Sequence, residues 1–204
     1  MREEKIHLNS GPLILEGLLS RTPGERGVVI CHPHSLMGGS MHNNVVETLQ
    51  HSFASQHYST LRFNFRGVGS STGSYDGGKG EREDILASCD YLKKQGIAEI
   101  SFAGYSFGAW VGSFVLQDNA DRFSSAFFIS PPIDYFDFDW EGIKNKIDLI
   151  LCGDRDSFCS LDTLRSIAGK IGSPLEIIHH ADHFYMGYEE KLSKVLSKHI
   201  AEKR

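Results

Sequence analysis

"EISFAGYSFGAWVGSFV" occupies residues 99–115, and its reading decides the fold. The first part, up to Gly104, is a short apolar run of the kind that forms a buried strand. In the second part Phe107, Trp110, Val111, Phe114 and Val115 recur at the three- and four-residue spacing of one helix face. At the junction stands Gly-Tyr-Ser-Phe-Gly, residues 104–108. Passing directly from strand to helix requires a sharp turn. Gly104 and Gly108 leave room for it, and Ser106 is then held in strained backbone geometry with its hydroxyl aimed out of the sheet. That hydroxyl faces the N-terminus of the helix, where unpaired N–H groups and the helix dipole favour developing negative charge. The pentapeptide alone is a weak signal, so the surrounding chain has to decide its meaning.

Working outward, the same alternation continues on both sides. Strand-like runs stand at 28–31, 60–65, 99–104, 125–130, 147–152 and 175–180. Helical periods lie between them, marked by Val45, Val46, Leu49 and Phe53, by Ile85, Cys89 and Leu92, by Leu161, Leu164, Ala168 and Ile171, and by Leu192, Val195, Leu196 and His199. Continuous apolar strands suit a sheet covered on both faces, and strand–helix alternation with short connections implies right-handed crossovers. At the N-terminus, runs around Ile6–Leu8 and Leu13–Leu19 flank the turn-forming Asn9-Ser10-Gly11-Pro12, which reads as an antiparallel hairpin. The expected architecture is an α/β fold: a three-layer α/β/α sandwich on a mostly parallel sheet of about seven or eight strands, opened by that hairpin.

Bulk properties agree. The chain of 204 residues fits one domain with a single large core, expected to span 1–204. The net charge of −5 and the lack of any long Lys/Arg run exclude the electrostatic footprint of a nucleic-acid or anionic-membrane binder. No apolar stretch approaches the ~18 residues of a spanning helix and the first residues lack a secretory core, so the expected location is cytoplasmic. Cys31, Cys89, Cys152 and Cys159 form no C-x-x-C pair and read as reduced, structural thiols.

In open parallel sheets ligands bind beyond the carboxyl ends of the strands. There this sequence places His32-Pro33-His34-Ser35-Leu36 after the first parallel strand, Ser106 after the central one, Asp154 and Asp156 after 147–152, and Asp182 and His183 after 175–180. A serine, a carboxylate and a histidine at one rim are the requirements of acyl transfer: a hydroxyl, a base to take its proton, and a group to orient the base. His179 and His180 are rival bases but are expected to belong still to the last strand.

This order of motifs, together with "HPHSLMGGSMHNNVV" (32–46), "LRFNFRGVGSSTGSYDGG" (61–78), "GYSFGAWV" (104–111), "GDRDSF" (153–158) and "ADHFYMG" (181–187), resembles the α/β-hydrolase superfamily, and more narrowly small, lidless bacterial serine hydrolases akin to dienelactone hydrolase. The resemblance implies Ser106 as nucleophile, His183 as general base and then acid, and Asp156 as the orienting carboxylate, with Asp154 its rival. It also implies an oxyanion hole made by the backbone N–H of Phe107 and one from residues 34–36. Pro33 has no N–H to give, so His34 is favoured, with Leu36 as runner-up and the His34 side chain of no expected importance. The implied function is that of a serine hydrolase cleaving a small carboxylic ester, thioester or related acyl compound through a Ser-His-Asp triad and an acyl-enzyme. The alternative is the same fold without turnover, as a binding or scaffold module.

Other features have plainer readings. The histidines come with neither H-E-x-x-H nor paired cysteines, so no metal and no cofactor are expected. "GSYDGGKG" at 73–80 lacks the Ser or Thr of a phosphate loop and reads as a surface turn into a helix whose first turn carries Glu81, Glu83 and Asp84. Arg62, Asn64 and Arg66 read as hydrogen-bonded braces and Asn43 as a cap. Only 16 residues, "PPIDYFDFDWEGIKNK", separate the strand ending at Ser130 from the next, too few for a multi-helix lid. Tyr135, Phe136, Phe138 and Trp140 there read equally as an aromatic wall beside Ser106 with an acidic outer face or as a cover for the sheet edge. The wall reading favours short, soluble, neutral or cationic substrates. The expected partner is a small-molecule acyl compound, and the expected state a monomer or small homo-oligomer.

Overall fold

The computed structural model describes residues 2–202. Its sheet comprises β1 (Glu4–Ser10), β2 (Leu13–Ser20), β3 (Arg26–Cys31), β4 (Ser59–Phe63), β5 (Glu99–Tyr105), β6 (Ser125–Ile129), β7 (Leu149–Gly153) and β8 (Leu175–Ile178). The strands lie side by side in the order β1-β2-β4-β3-β5-β6-β7-β8. β1 pairs antiparallel with β2, and β2 antiparallel with β4; every other pair is parallel. The helices are α1 (Asn44–Ser55), α2 (Lys79–Lys94), α3 (Phe107–Asn119), α4 (Leu161–Ile171) and α5 (Glu189–Glu202).

Alternate residues of the central strands feed two separate cores, as the two-residue period of a pleated strand requires. Val29, Cys31 and Phe102 point to the face covered by α2, α3 and α4, where Ile85, Cys89, Val111, Val115 and Leu164 are buried. Val28, Ile30, Ala103 and Tyr105 point to the other face, against Val45, Leu49 and Phe53 of α1 and Leu192, Leu196 and Ile200 of α5. Sheet and helices thus form the expected three-layer sandwich.

The chain steps outward from β3 to β4 and then reverses to β5. β3 and β5 are therefore neighbours whose following loops depart in opposite directions, and a crevice opens at such a switch point. Their register pairs Cys31 with Gly104, so both strands end at one level and both loops open onto the same rim.

The polar residues around β4 brace this rim. Arg66 grips the fully buried Asp84 with two parallel bonds, Nε to Oδ2 at 3.1 Å and Nη2 to Oδ1 at 2.8 Å, while Ser10 donates to Asp84 Oδ1 at 2.7 Å. Bidentate pairing of this kind is what makes a buried charge tolerable. Arg62 binds Glu3, Glu47 and the Met41 carbonyl, and the Asn43 side chain caps α1 through the Val45 N–H at 2.9 Å. The acidic start of α2 does more than complement a helix dipole: besides Asp84 in its ion pair, Glu81 is buried and accepts from the N–H groups of Asp76 and Gly78. Gly80 is required because a Cβ there would sit 1.8 Å from the Arg66 guanidinium. Among the described residues no helix is long and apolar enough to cross a membrane.

Candidate active site

Ser106 stands between β5 and α3 with φ 55° and ψ −117°, a left-handed conformation that costs a residue with a Cβ about 1–3 kcal/mol. The turn is held from both sides. The Ser106 N–H donates to the Ile129 carbonyl of β6 at 2.9 Å, and the Ser106 carbonyl accepts from Ala109 N at 2.9 Å as α3 begins. The flanking glycines are steric necessities. A Cβ on Gly104 would lie 2.7 Å from Ala109 Cα, and one on Gly108 would lie 2.7 Å from the Cys31 carbonyl oxygen.

His183 reaches Ser106 from the loop after β8: its Nε2 is 2.9 Å from Ser106 Oγ. On the other side of the ring, Nδ1 lies 2.9 and 2.8 Å from the two oxygens of Asp156. An ionised carboxylate only accepts, so Nδ1 carries the proton and Nε2 of a neutral ring is left to accept from the serine hydroxyl. The Asp156 side chain is fully buried and also accepts from Phe158 N at 2.9 Å, with the Cys152 thiol 3.8 Å away. The loop that carries it is fixed by Asp156 N to Gly153 O at 3.3 Å and by Arg155 N to Ala181 O at 3.0 Å.

Asp154 takes no part in this arrangement. It accepts from the His179 ring at 3.0 Å and from the His180 N–H at 2.6 Å, and these bonds, the His179 one foremost, hold its carboxyl below the usual range. The same contacts correct the expected extent of the last strand. β8 stops at Ile178, and His179 and His180 form an exposed turn with His180 at φ 69°.

Sequence reasoning missed the groups that hold His183 in place. The Tyr105 hydroxyl, on the residue before the nucleophile, donates to the His183 carbonyl at 2.7 Å. Asp182 accepts from the N–H groups of Phe184 and Tyr185 at 2.9 and 3.1 Å, and the buried Tyr185 hydroxyl meets Ser130 Oγ at 2.8 Å. In the motif Tyr105 is an unconstrained position, and no signal in the sequence distinguishes it.

The loop after β3 carries the remaining expected residues. Leu36 N is already engaged, donating to His34 Nδ1 at 3.2 Å, whereas the backbone N–H groups of His34 and Phe107 have no protein acceptor among the described residues. The His34 side chain, expected to be unimportant, is a structural post. Its Nε2 contacts the Tyr75 hydroxyl at 3.2 Å and its ring packs against Phe107 at 4.8 Å. One residue earlier, the fully buried His32 accepts from Phe65 N at Nε2 (3.0 Å) and donates from Nδ1 to the Pro33 carbonyl (2.6 Å). Burial pushes its pKa down to about 4, so it is a neutral peg joining the ends of β3 and β4.

Above Ser106 lies a cavity of about 510 Å³ walled by Pro33, His34, Tyr135, Phe136, Phe158 and Phe184, among others. The segment 131–146 divides its aromatics between the two readings open in the sequence. Tyr135 and Phe136 form the wall, whereas Phe138 and Trp140 stack on each other (4.5 Å, 9°) and pack against the core on the α2–α3–α4 face of the sheet. Asp134, Asp137, Asp139 and Glu141 are exposed and line no part of the cavity. No cluster of three or more potential metal ligands occurs among the described residues.

No protein-family model matches the chain. It is 30% identical to an uncharacterized protein of Rickettsia prowazekii over 210 residues, 96% of this chain and 88% of that one. Among solved structures it is similar to an alpha-beta serine hydrolase homologue from Coxiella burnetii, with 32% identity, 97% of both chains covered and a TM-score of 0.84. It is also similar to a serine hydrolase without lid from Xanthomonas campestris, with 25% identity, 99% and 95% coverage and a TM-score of 0.87. A putative alpha/beta hydrolase from Agrobacterium tumefaciens matches at 27% identity, 99% and 96% coverage and a TM-score of 0.88. The chain belongs to the α/β-hydrolase superfamily, among its lidless serine hydrolases.

Proposed function

We propose that the protein hydrolyses a small, uncharged carboxylic ester or thioester through a Ser106–His183–Asp156 triad. The observation that carries this reading is the unbroken row of hydrogen bonds from the strained Ser106 to a fully buried carboxylate, opening into an apolar cavity.

His183 Nε2 takes the Ser106 proton as Oγ bonds to the substrate carbonyl carbon, and Asp156 stabilises the imidazolium and keeps its orientation. The carbonyl oxygen becomes an oxyanion facing the N–H groups of Phe107 and His34. When the tetrahedral intermediate collapses, the bond to the alcohol or thiol breaks and His183 returns the proton to that leaving group. Water then attacks the acyl-serine by the same route, with His183 again as base, and releases the acid and free Ser106.

An active-site-directed fluorophosphonate is expected to add once, at Ser106, and the purified protein to hydrolyse members of an ester and thioester panel, with both lost in Ser106→Ala. An adduct at another residue, or none together with no hydrolysis, overturns the proposal and leaves the fold as a non-catalytic module.

A further inference from the structure

Six large apolar side chains are exposed among the described residues, and five of them ring the catalytic rim. Leu36 and Met37 follow β3, Tyr135 follows β6, and Phe184 and Met186 follow β8; these five are 53–73% exposed. Isolated exposed apolar residues are ordinary, but their concentration around one opening marks a binding surface. Met37, Tyr135 and Phe184 also line the cavity beside Ser106, so three of the five collar residues belong to its wall, with Leu36 directly before Met37 and Met186 two residues beyond Phe184.

The collar is built, not left over from a loose loop. Asn44, the first residue of α1, donates to the Phe184 carbonyl at 2.9 Å and to Glu189 Oε1 at 2.9 Å, and lies 3.6 Å from Met186 Sδ. On the opposite side the His34 carbonyl accepts from Met37 N and Gly39 N, both at 3.0 Å, which fixes the turn that displays Leu36 and Met37. Rigid backbone thus presents flexible side chains, two of them methionines that adapt to irregular apolar ligands.

Continuity with the cavity identifies the occupant. A surface whose inner residues wall the cavity at the nucleophile is covered by whatever the nucleophile attacks. Its charged neighbours include the acidic Asp134 and Asp137, which oppose an anionic lipid surface.

We infer that the collar is the outer half of the substrate site and that the substrate is an uncharged ester or thioester, bound as a single dissolved molecule, with an apolar chain that outgrows the cavity and lies across Leu36, Met37, Phe184 and Met186. This rests on the reading of Ser106 as the nucleophile. It departs from the sequence expectation of short substrates, which a steady climb of kcat/KM with chain length would contradict.

The test uses p-nitrophenyl esters of C2 to C10 acids and acetates of C2 to C10 alcohols, all below their aggregation concentrations. In one series kcat/KM is expected to climb with chain length, by at most roughly fourfold per methylene, the limit set by complete burial. In Leu36→Ser/Met186→Ser, two exposed positions whose exchange costs the fold little, the C10-to-C2 ratio is expected to fall at least tenfold, with melting temperature and Ser106 labelling retained. A ratio unchanged in the variant, or a flat series in an enzyme that labels and turns over, overturns the collar alone. The C10 ester is also taken through its aggregation concentration, and a rate that rises only once it aggregates overturns the collar too, in favour of a lipid–water interface. Neither labelling nor turnover of any ester removes the nucleophile reading and this inference together.

Discussion

The loops that follow the neighbouring strands β6 and β7 border the same cavity and present their side chains to it by different means. After β7, directional bonds tie down the chain at each step: Arg155 N to Ala181 O, Asp156 N to Gly153 O, Phe158 N to Asp156 Oδ1. After β6, residues 131–146 form neither helix nor strand; bonds hold the backbone, Tyr135 N and Phe136 N to Pro132 O at 3.1 Å and Asp134 N to Phe158 O at 3.3 Å, and rings carry the side chains: Phe136 against Trp110 at 4.4 Å, Tyr135 against Phe158 at 4.9 Å, Phe138 on Trp140. Hydrogen bonds have narrow distance and angle limits, whereas apolar contact is non-directional and tolerant. What separates the loops is what their bonds reach: after β7 a bond from Phe158 N fixes the Asp156 carboxylate itself, where an atom must be placed to tenths of an ångström, whereas after β6 the side chains that face the cavity are placed by ring packing alone.

The sharpest way to break this contrast lies within the β7 loop itself. Asp156→Asn keeps the shape but no longer enforces a proton on His183 Nδ1, so kcat is expected to fall about 10⁴-fold with the melting transition retained. Asp154→Asn, two residues away, removes only bonds to the exposed turn at His179 and His180 and is expected to leave kcat within about twofold. If the two variants exchange effects in steady-state kinetics on a p-nitrophenyl ester, directional placement of Asp156 is not what matters.

A second test asks whether the same physics anchors the loop after β3. His32 stays neutral in the folded protein down to a pKa of about 4, whereas in the unfolded chain it takes a proton near pH 6.5. As pH falls between those values the unfolded state binds the extra proton, so His32 withdraws stability progressively from pH 6.5 to 4 and has no effect above that window. The loss is expected to reach about 3 kcal/mol. His32→Gln offers an acceptor for the Phe65 N–H without titrating, so the stability difference between wild type and variant, from urea unfolding at pH 7 and pH 4, should shift by that amount. A difference that does not move with pH means His32 is not a buried neutral peg.

Much of this was legible in the sequence, for identifiable reasons. The strand–helix alternation and the Ser106 elbow depend on local periodicity and on glycines whose need is steric, and His183 lies where a serine-based site requires a base. What stayed open depends on contacts between distant segments. Asp154 and Asp156 differ in which way the loop turns, and Ala181 decides that through its bond to Arg155. His179 and His180 prolong an apolar run with no local stop signal; Asp154, on another loop, ends it. The roles of Tyr105 and His32 likewise rest on bonds to partners 78 and 33 residues away.

The smallest effect belongs to the half of the 131–146 segment that turns away from Ser106. Phe138 and Trp140 are partly buried, nearly parallel, and absent from the cavity lining. If the rings of the far half add packing to a bonded backbone and only the Tyr135–Phe136 half meets substrate, loosening the far half should weaken the fold slightly and leave the chemistry alone. Stacked pairs contribute ~1 kcal/mol beyond their buried area, so a double-mutant cycle of Phe138→Ala and Trp140→Ala in thermal or urea unfolding is expected to give a coupling of about that size. The kcat/KM for an acetate ester should move less than about threefold in each single variant, because the catalytic atoms are fixed by bonds from β5, β7 and β8 that these rings do not touch. A large loss of kcat with little loss of stability would mean that the packed half positions the site after all, and the division of labour between the two loops would fail.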